Sequence, residues 1–155
     1  MRTMRFRLST LIIVSLSFTL ASSTAGASIS VKAAGKQFLK DVAPLNATFA
    51  KFETEASKWN NSTTEKQAEK DATPAIWAMR KFQANLLTQS WPKKARPDVR
   101  TLYSGFSPLE ADLEVLAQFS TLNVGNWETK FATDFTTLSS DDNFVRHDLG
   151  LKLNS

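Results

Sequence analysis

The chain has no cysteine among its 155 residues. Disulfides and thiolate metal sites are excluded, so whatever compartment the protein occupies, its fold must hold by packing. Histidine occurs once, at His147, and the residue three positions earlier is Phe144. Paired Glu-x-x-His motifs of a di-metal bundle therefore cannot be assembled. The five glycines form no phosphate-cradling loop. Alternating Val- or Ile-rich runs and hairpin dipeptides are missing as well, which removes any strand signal. No twin-arginine pair stands near the N-terminus, so export of a folded, cofactor-loaded protein is disfavoured.

What is present begins with an export signal. Arg2, Arg5 and Arg7 precede the apolar run Leu11 to Leu20, and small residues then lead to Ala25, Gly26 and Ala27. This is the order of a secretory signal peptide over residues 1–27, cleaved before Ser28. An uncleaved anchor is the alternative, but the run is short of the roughly 20 residues that span a bilayer. The reading implies secretion or residence in the cell envelope by the general secretory route, with membrane contact only through the signal before cleavage. It also changes the charge. The formal net charge of +4 comes from 19 basic and 15 acidic residues; without the three arginines, 16 face 15. A nearly neutral mature chain carries no footprint for nucleic acid. The remaining basic cluster, Lys93, Lys94, Arg96 and Arg100, lies beside Pro92 and Pro97 and reads as a helix junction, with an anion or membrane-surface site as the alternative.

Residues 28–155 read as a single domain of four amphipathic helices. Phe38, Val42, Leu45, Phe49, Phe52, Ala56 and Trp59 alternate by four and three, which places them on one helical seam. Ala75, Met79, Phe82 and Leu86 do the same in a second helix that starts near Thr64 or Glu65, with Ile76 and Leu87 widening its stripe and Trp77 adding apolar surface. A third pattern runs from Asp98 to Asn123. The fourth, with Asn126 as its expected cap, carries Trp127, Phe131, Phe135, Leu138, Val145 and Leu149. The polar stretch Ser139 to Asn143 either loosens that helix or faces water. Leu149-Gly150-Leu151 predicts a stop with Gly150 left-handed. Proline removes a backbone donor and crowds the preceding turn. The apolar phase nevertheless continues across Pro44 and Pro74, which predicts kinked single helices. At Pro108 a break after Gly105 stands nearly level with a kink, because Ser107-Pro108-Leu109-Glu110 also fits a capping box with proline at the first helical position. Four such helices on short loops predict an all-α, antiparallel, up-and-down bundle.

The segments Val42 to Asn46 (VAPLN), Gln89 to Pro92 (QSWP) and Val145 to Leu151 (VRHDLGL) resemble recurrent phrases in small exported or lipid-anchored helical proteins of actinobacteria. The resemblance implies an exported helical protein and transfers no activity or site residue. Members often carry a lipid-attachment cysteine, from which this chain departs.

Candidate chemistry is sparse. A nucleophilic hydroxyl would have only His147 or a neutral lysine as its base, and the carboxylates Glu53, Glu55, Asp112 and Glu114 are what any charged helix supplies. No catalytic residue, metal site or cofactor is expected. Five residues stand out as ligand or partner contacts: Trp77, Trp91, Trp127, Arg146 and Asp148. Together with Trp59, the tryptophans would line a slot between splayed helices, whereas Arg146 and Asp148 flank the apolar end of the last helix. A structural role is the plain alternative for each: core packing for the rings, and an ion pair between helices for Arg146. The expected function is a non-enzymatic envelope module that binds a protein partner. The alternative is a carrier that encloses a small apolar ligand, lipid or tetrapyrrole-like, within the bundle.

Overall fold

A computed structural model describes residues 29–154. The signal read from residues 1–27 lies outside the described residues. Four α-helices follow in order, α1 (Val31–Ala56), α2 (Glu65–Thr88), α3 (Arg96–Glu114) and α4 (Val124–Asp148), with a 3₁₀ helix (Val115–Thr121) between the last two. There is no strand among the described residues.

The helix ends follow local chemistry. Ser30 Oγ accepts from Ala33 N, Thr64 Oγ1 from Gln67 N and Asn123 Oδ1 from Asn126 N, each satisfying an N-terminal donor that the helix leaves unpaired. The cap of α4 is thus Asn123, three residues earlier than expected, and Asn126 lies inside the first turn. At the far end Gly150 takes φ 65°. Its N–H reaches His147 O, and Leu151 N reaches Arg146 O, the paired bonds of a Schellman stop. Pro44, Pro74 and Pro108 all lie inside unbroken helices. The pattern from Asp98 to Asn123, by contrast, is interrupted after Glu114, where the chain tightens into the 3₁₀ turn with Gln118 at φ −117°, ψ 30°. Leu116 and Phe119 still reach the core from there. The stretch Ser139 to Asn143 stays helical and buries Asp142.

The apolar stripes meet in one core. Phe38, Phe52, Phe82, Phe106 and Phe131 are all buried, and each such side chain contributes about 1.5–3 kcal/mol before chain entropy is subtracted. α1 packs on α2, α2 on α3, and α3 on α4. Ala68, Ala72 and Ala75 are fully buried on α2 and allow its neighbours a close approach. α1 and α4, whose backbones scarcely meet, are bridged by rings: Phe49 to Phe135 at 5.8 Å, Phe52 to Phe131 at 6.0 Å and Trp59 to Trp127 at 6.0 Å between centroids. Wide rings hold that seam apart.

Two polar clamps fix α1 against α2. Asp41 accepts from Gln37, Asn85 and Gln89, and Trp59 Nε1 donates to Asp71 at 3.0 Å. Partly buried carboxylates that receive several N–H groups specify register as well as contributing energy. No described helix is long and apolar enough to cross a membrane.

Candidate functional site

The residues singled out in the sequence go to different places. Trp91 is buried, donates Nε1–H to Leu86 O at 2.8 Å and sets its edge against Phe38. Trp127 is buried near the opposite end of the bundle, stacks on Phe131 at 5.3 Å and donates to Asp112 O at 2.6 Å. Both indoles are satisfied inside the core. Trp59 is buried beside Trp127, 6.0 Å between centroids, but Trp91 packs on Phe38 elsewhere and Trp77 is exposed, so the four tryptophans do not converge on a single slot.

Trp77 overturns the expectation for its helix. It is 65% exposed, and Leu87 is 62% exposed. The reason is angular: Trp77 stands two residues from both Ala75 and Met79, about 200° around the helix from each, and Leu87 is one position, about 100°, past Leu86. Neither belongs to the buried stripe. Arg80 lies under the Trp77 ring, 5.9 Å from its centroid, and is itself held by Glu110 at 2.6 Å and Glu114 at 2.7 Å. The outer face of α2 therefore presents an indole over a guanidinium that two carboxylates of α3 keep in place.

Arg146 and Asp148, two residues apart, diverge. Asp148 points to the start of α3, where Lys94 Nζ is 3.0 Å away, and it also meets His147 Nδ1 at 3.3 Å. Arg146 turns into the bundle and is only 6% exposed. Its expected partner was a carboxylate of another helix; the actual one is Asp142, one turn earlier on α4, at 2.5 Å. The guanidinium also covers the Phe38 ring at 5.8 Å and reaches Lys152 O at 3.4 Å. Asn154 closes the arrangement, donating Nδ2–H to Asp142 and exchanging bonds with Asn143. Burial pushes the Asp142 carboxyl above the usual range, and Arg146 and Asn154 only partly counter it. The i,i+4 spacing of Asp142 and Arg146 was a legible signal; the return of the tail was not.

Beside this triad lies a cavity in the α1–α4 seam, walled by Val42, Phe49, Phe82, Leu102 and Phe135, with Asp142 and Asn154 at its polar end. Its volume is about 40 Å³. A cavity that binds benzene measures about 150 Å³, and small-molecule pockets about 300–1,000 Å³. As it stands the space admits a methyl-sized group. Among the described residues, no group of three or more His, Asp or Glu side chains is arranged to hold a metal ion. Comparison of the chain with protein-family models, with curated proteins and with solved structures gives no match.

Proposed function

We propose that the chain is an exported, antiparallel up-and-down helical bundle that works in the cell envelope as a non-enzymatic binding module, with Trp77 as the anchor for a protein partner. The observation that carries the reading is the exposed indole held over Arg80. Tryptophan and arginine dominate the energetics of protein interfaces, and a large ring left in water on an otherwise well-packed helix gains most from being covered. Export is supported by the order of arginines, apolar run and small residues in 1–27. Antiparallel order is supported by the clamps, since Trp59 at the end of α1 meets Asp71 early in α2, and Asp41 meets Gln89 just past the end of α2.

The second reading, a carrier for a small apolar ligand, draws on the α1–α4 cavity. Its volume is nearly an order of magnitude below what a lipid or tetrapyrrole needs, so the carrier requires helices to part, which the partner-binding reading does not.

One experiment addresses both. Expressed with its leader in a secreting host, the protein is expected outside the cytoplasm with Ser28 as its first residue. A photo-cross-linker at position 77 is expected to capture an envelope protein. With that partner purified, Trp77→Ala should weaken binding by about 2 kcal/mol, roughly 30-fold in Kd, while leaving the melting temperature almost unchanged. Equal binding by the variant would refute the anchor, and lipid or pigment co-purifying in stoichiometric amount would favour the carrier.

A further inference from the structure

In the up-and-down order proposed above, the start of α1, the end of α2, the start of α3 and the end of α4 share one end of the bundle, and contacts tie them there. Asp41 accepts from Gln89 Nε2 at 2.5 Å, Lys94 meets Asp148 at 3.0 Å, and a Cβ at Gly35 would come within 3.1 Å of Leu151 in the returning tail. Charge is divided unevenly between the two ends. Residues 29–45, 81–107 and 139–154 hold ten basic and five acidic side chains, whereas 46–80 and 108–138 hold six basic and ten acidic. A nearly neutral domain is thus +5 at one end and −4 at the other.

The cations of the basic end face water. Among the described residues, Lys32, Lys40, Lys93, Arg100 and Lys152 are exposed and in no ion pair, while Lys94 and Arg146 are taken by Asp148 and Asp142. Apolar surface is concentrated there too. Of the six large apolar side chains exposed among the described residues, Val31, Leu39, Leu87, Phe144 and Leu153 lie at this end, and Trp77 belongs to the acidic half. Four of the five border the tail. Val31, Gly35 and Leu39 form one stripe of α1, with Leu151 lying on its middle member. Lys32, Lys36 and Lys40 run alongside, about 100° around the helix. Asn154 exchanges bonds with Asn143, which brings Leu153 to the turn of α4 that carries Phe144.

This combination selects one kind of partner. Protein–protein interfaces are depleted in lysine, whereas lysines interleaved with large apolar side chains are what binds an anionic lipid surface. There the ammonium heads reach phosphate while their stems and the apolar side chains enter the headgroup layer. The acidic half does not oppose such docking. A helix of 25 residues such as α4 is about 37 Å long, and fields between exposed charges are largely screened beyond about 10 Å at 0.1 M salt. Polarity instead sets the orientation, with the acidic end held away from the lipid.

We propose that the basic end, on the side where the tail lies across α1 and α4, docks on an anionic lipid surface. The chain also enters the described structure here, at Ile29 beside Val31, so the leader read from residues 1–27 runs into the same end. Docking adds a contact of the folded domain to the membrane contact expected of the leader alone. It does not involve Trp77, which stays available to a protein partner.

Co-sedimentation with vesicles tests this, using the protein as the secreting host releases it. Vesicles of phosphatidylglycerol and phosphatidylcholine in equal parts should bind it at low salt, and phosphatidylcholine alone far less; raising salt to about 0.5 M should release it. The pair Lys32→Gln, Lys40→Gln should weaken binding about 30-fold, near fivefold per lysine. Lys66→Gln, Lys70→Gln removes equal charge from the acidic half and should change it less than about twofold. Phe144→Ser, Leu153→Ser should weaken it about tenfold. All six positions are exposed, so melting temperatures should hold. A parent without preference for the anionic vesicles overturns the proposal, as does undiminished binding in either pair at the basic end, or an equal loss in the Lys66, Lys70 pair. Binding to soluble polyglutamate but not to vesicles would make the surface one for an acidic protein, and the lipid reading fails. An uncleaved leader is carried by every variant and cancels in the comparison, so failure of export and failure of docking are told apart.

Discussion

Truncating Phe82 to alanine is expected to cost about 3–5 kcal/mol, a large part of the roughly 5–15 kcal/mol that holds a domain of this size together. Phe82 is 2% exposed and sets its ring edge-on to Phe38 of α1 and Phe106 of α3, at 5.7 Å in each case. One side chain therefore joins three helices, and its loss removes aromatic contacts as well as buried area. The ring also forms part of the wall of the α1–α4 cavity. The space vacated by Phe82→Ala merges with an existing void, and cavity volume adds to the cost because the surroundings relax only in part. Urea denaturation should show the midpoint falling sharply with little change in slope. Leu87→Ala, at a position 62% exposed on the same helix, serves as the control and should stay within about 0.5 kcal/mol. A loss below about 1 kcal/mol for Phe82→Ala would mean that the core is not assembled around this ring.

Arg146→Met should be comparably damaging, for an electrostatic reason. Arg146 is the cation that offsets burial of Asp142, and both residues are less than a tenth exposed. Removing one partner of a buried pair leaves an uncompensated charge, at a typical cost of about 3–5 kcal/mol. Burial already raises the Asp142 carboxyl, with Arg146 the leading opposing influence, so in the variant it climbs further. A raised carboxyl contributes its stability fully below the unfolded value, about 4, and loses it as pH rises through the folded value. The defect of Arg146→Met should accordingly be greatest at neutral and alkaline pH and shrink on acidification. Adding Asp142→Leu should recover most of it, because an apolar pair of similar volume carries no stranded charge. Melting curves of both variants at about pH 5 and pH 8 test this. A defect of Arg146→Met that does not change with pH would place its origin in lost packing against Phe38.

These cases show where the sequence was legible. The fours and threes of Phe49, Phe82 and Phe131 announced their burial, because a helix presents the same face at that spacing whatever it packs against. Gly150 announced a helix stop, since the left-handed turn suits a residue without a Cβ. Trp77 shows that bulk alone does not bury a side chain, since its angle about α2 points outward. Asp112 and Asp142 were illegible as buried groups: a carboxylate in a charged helix looks solvated until the neighbouring helix is in position.

Amino-acid order alone set the number of α-helices and the inward face of most of each, because those depend on interactions within a few turns of one chain segment. Tertiary structure decided the rest: that α1 and α4 stand apart on a wedge of rings, that the tail returns to Asp142, and that Lys130 of α4 ties Asp112 of α3 to Asp134. Those features arise between segments distant in the chain. Burial and charge proximity then become properties of the assembled bundle, and the titration of an aspartate follows from what packs over it.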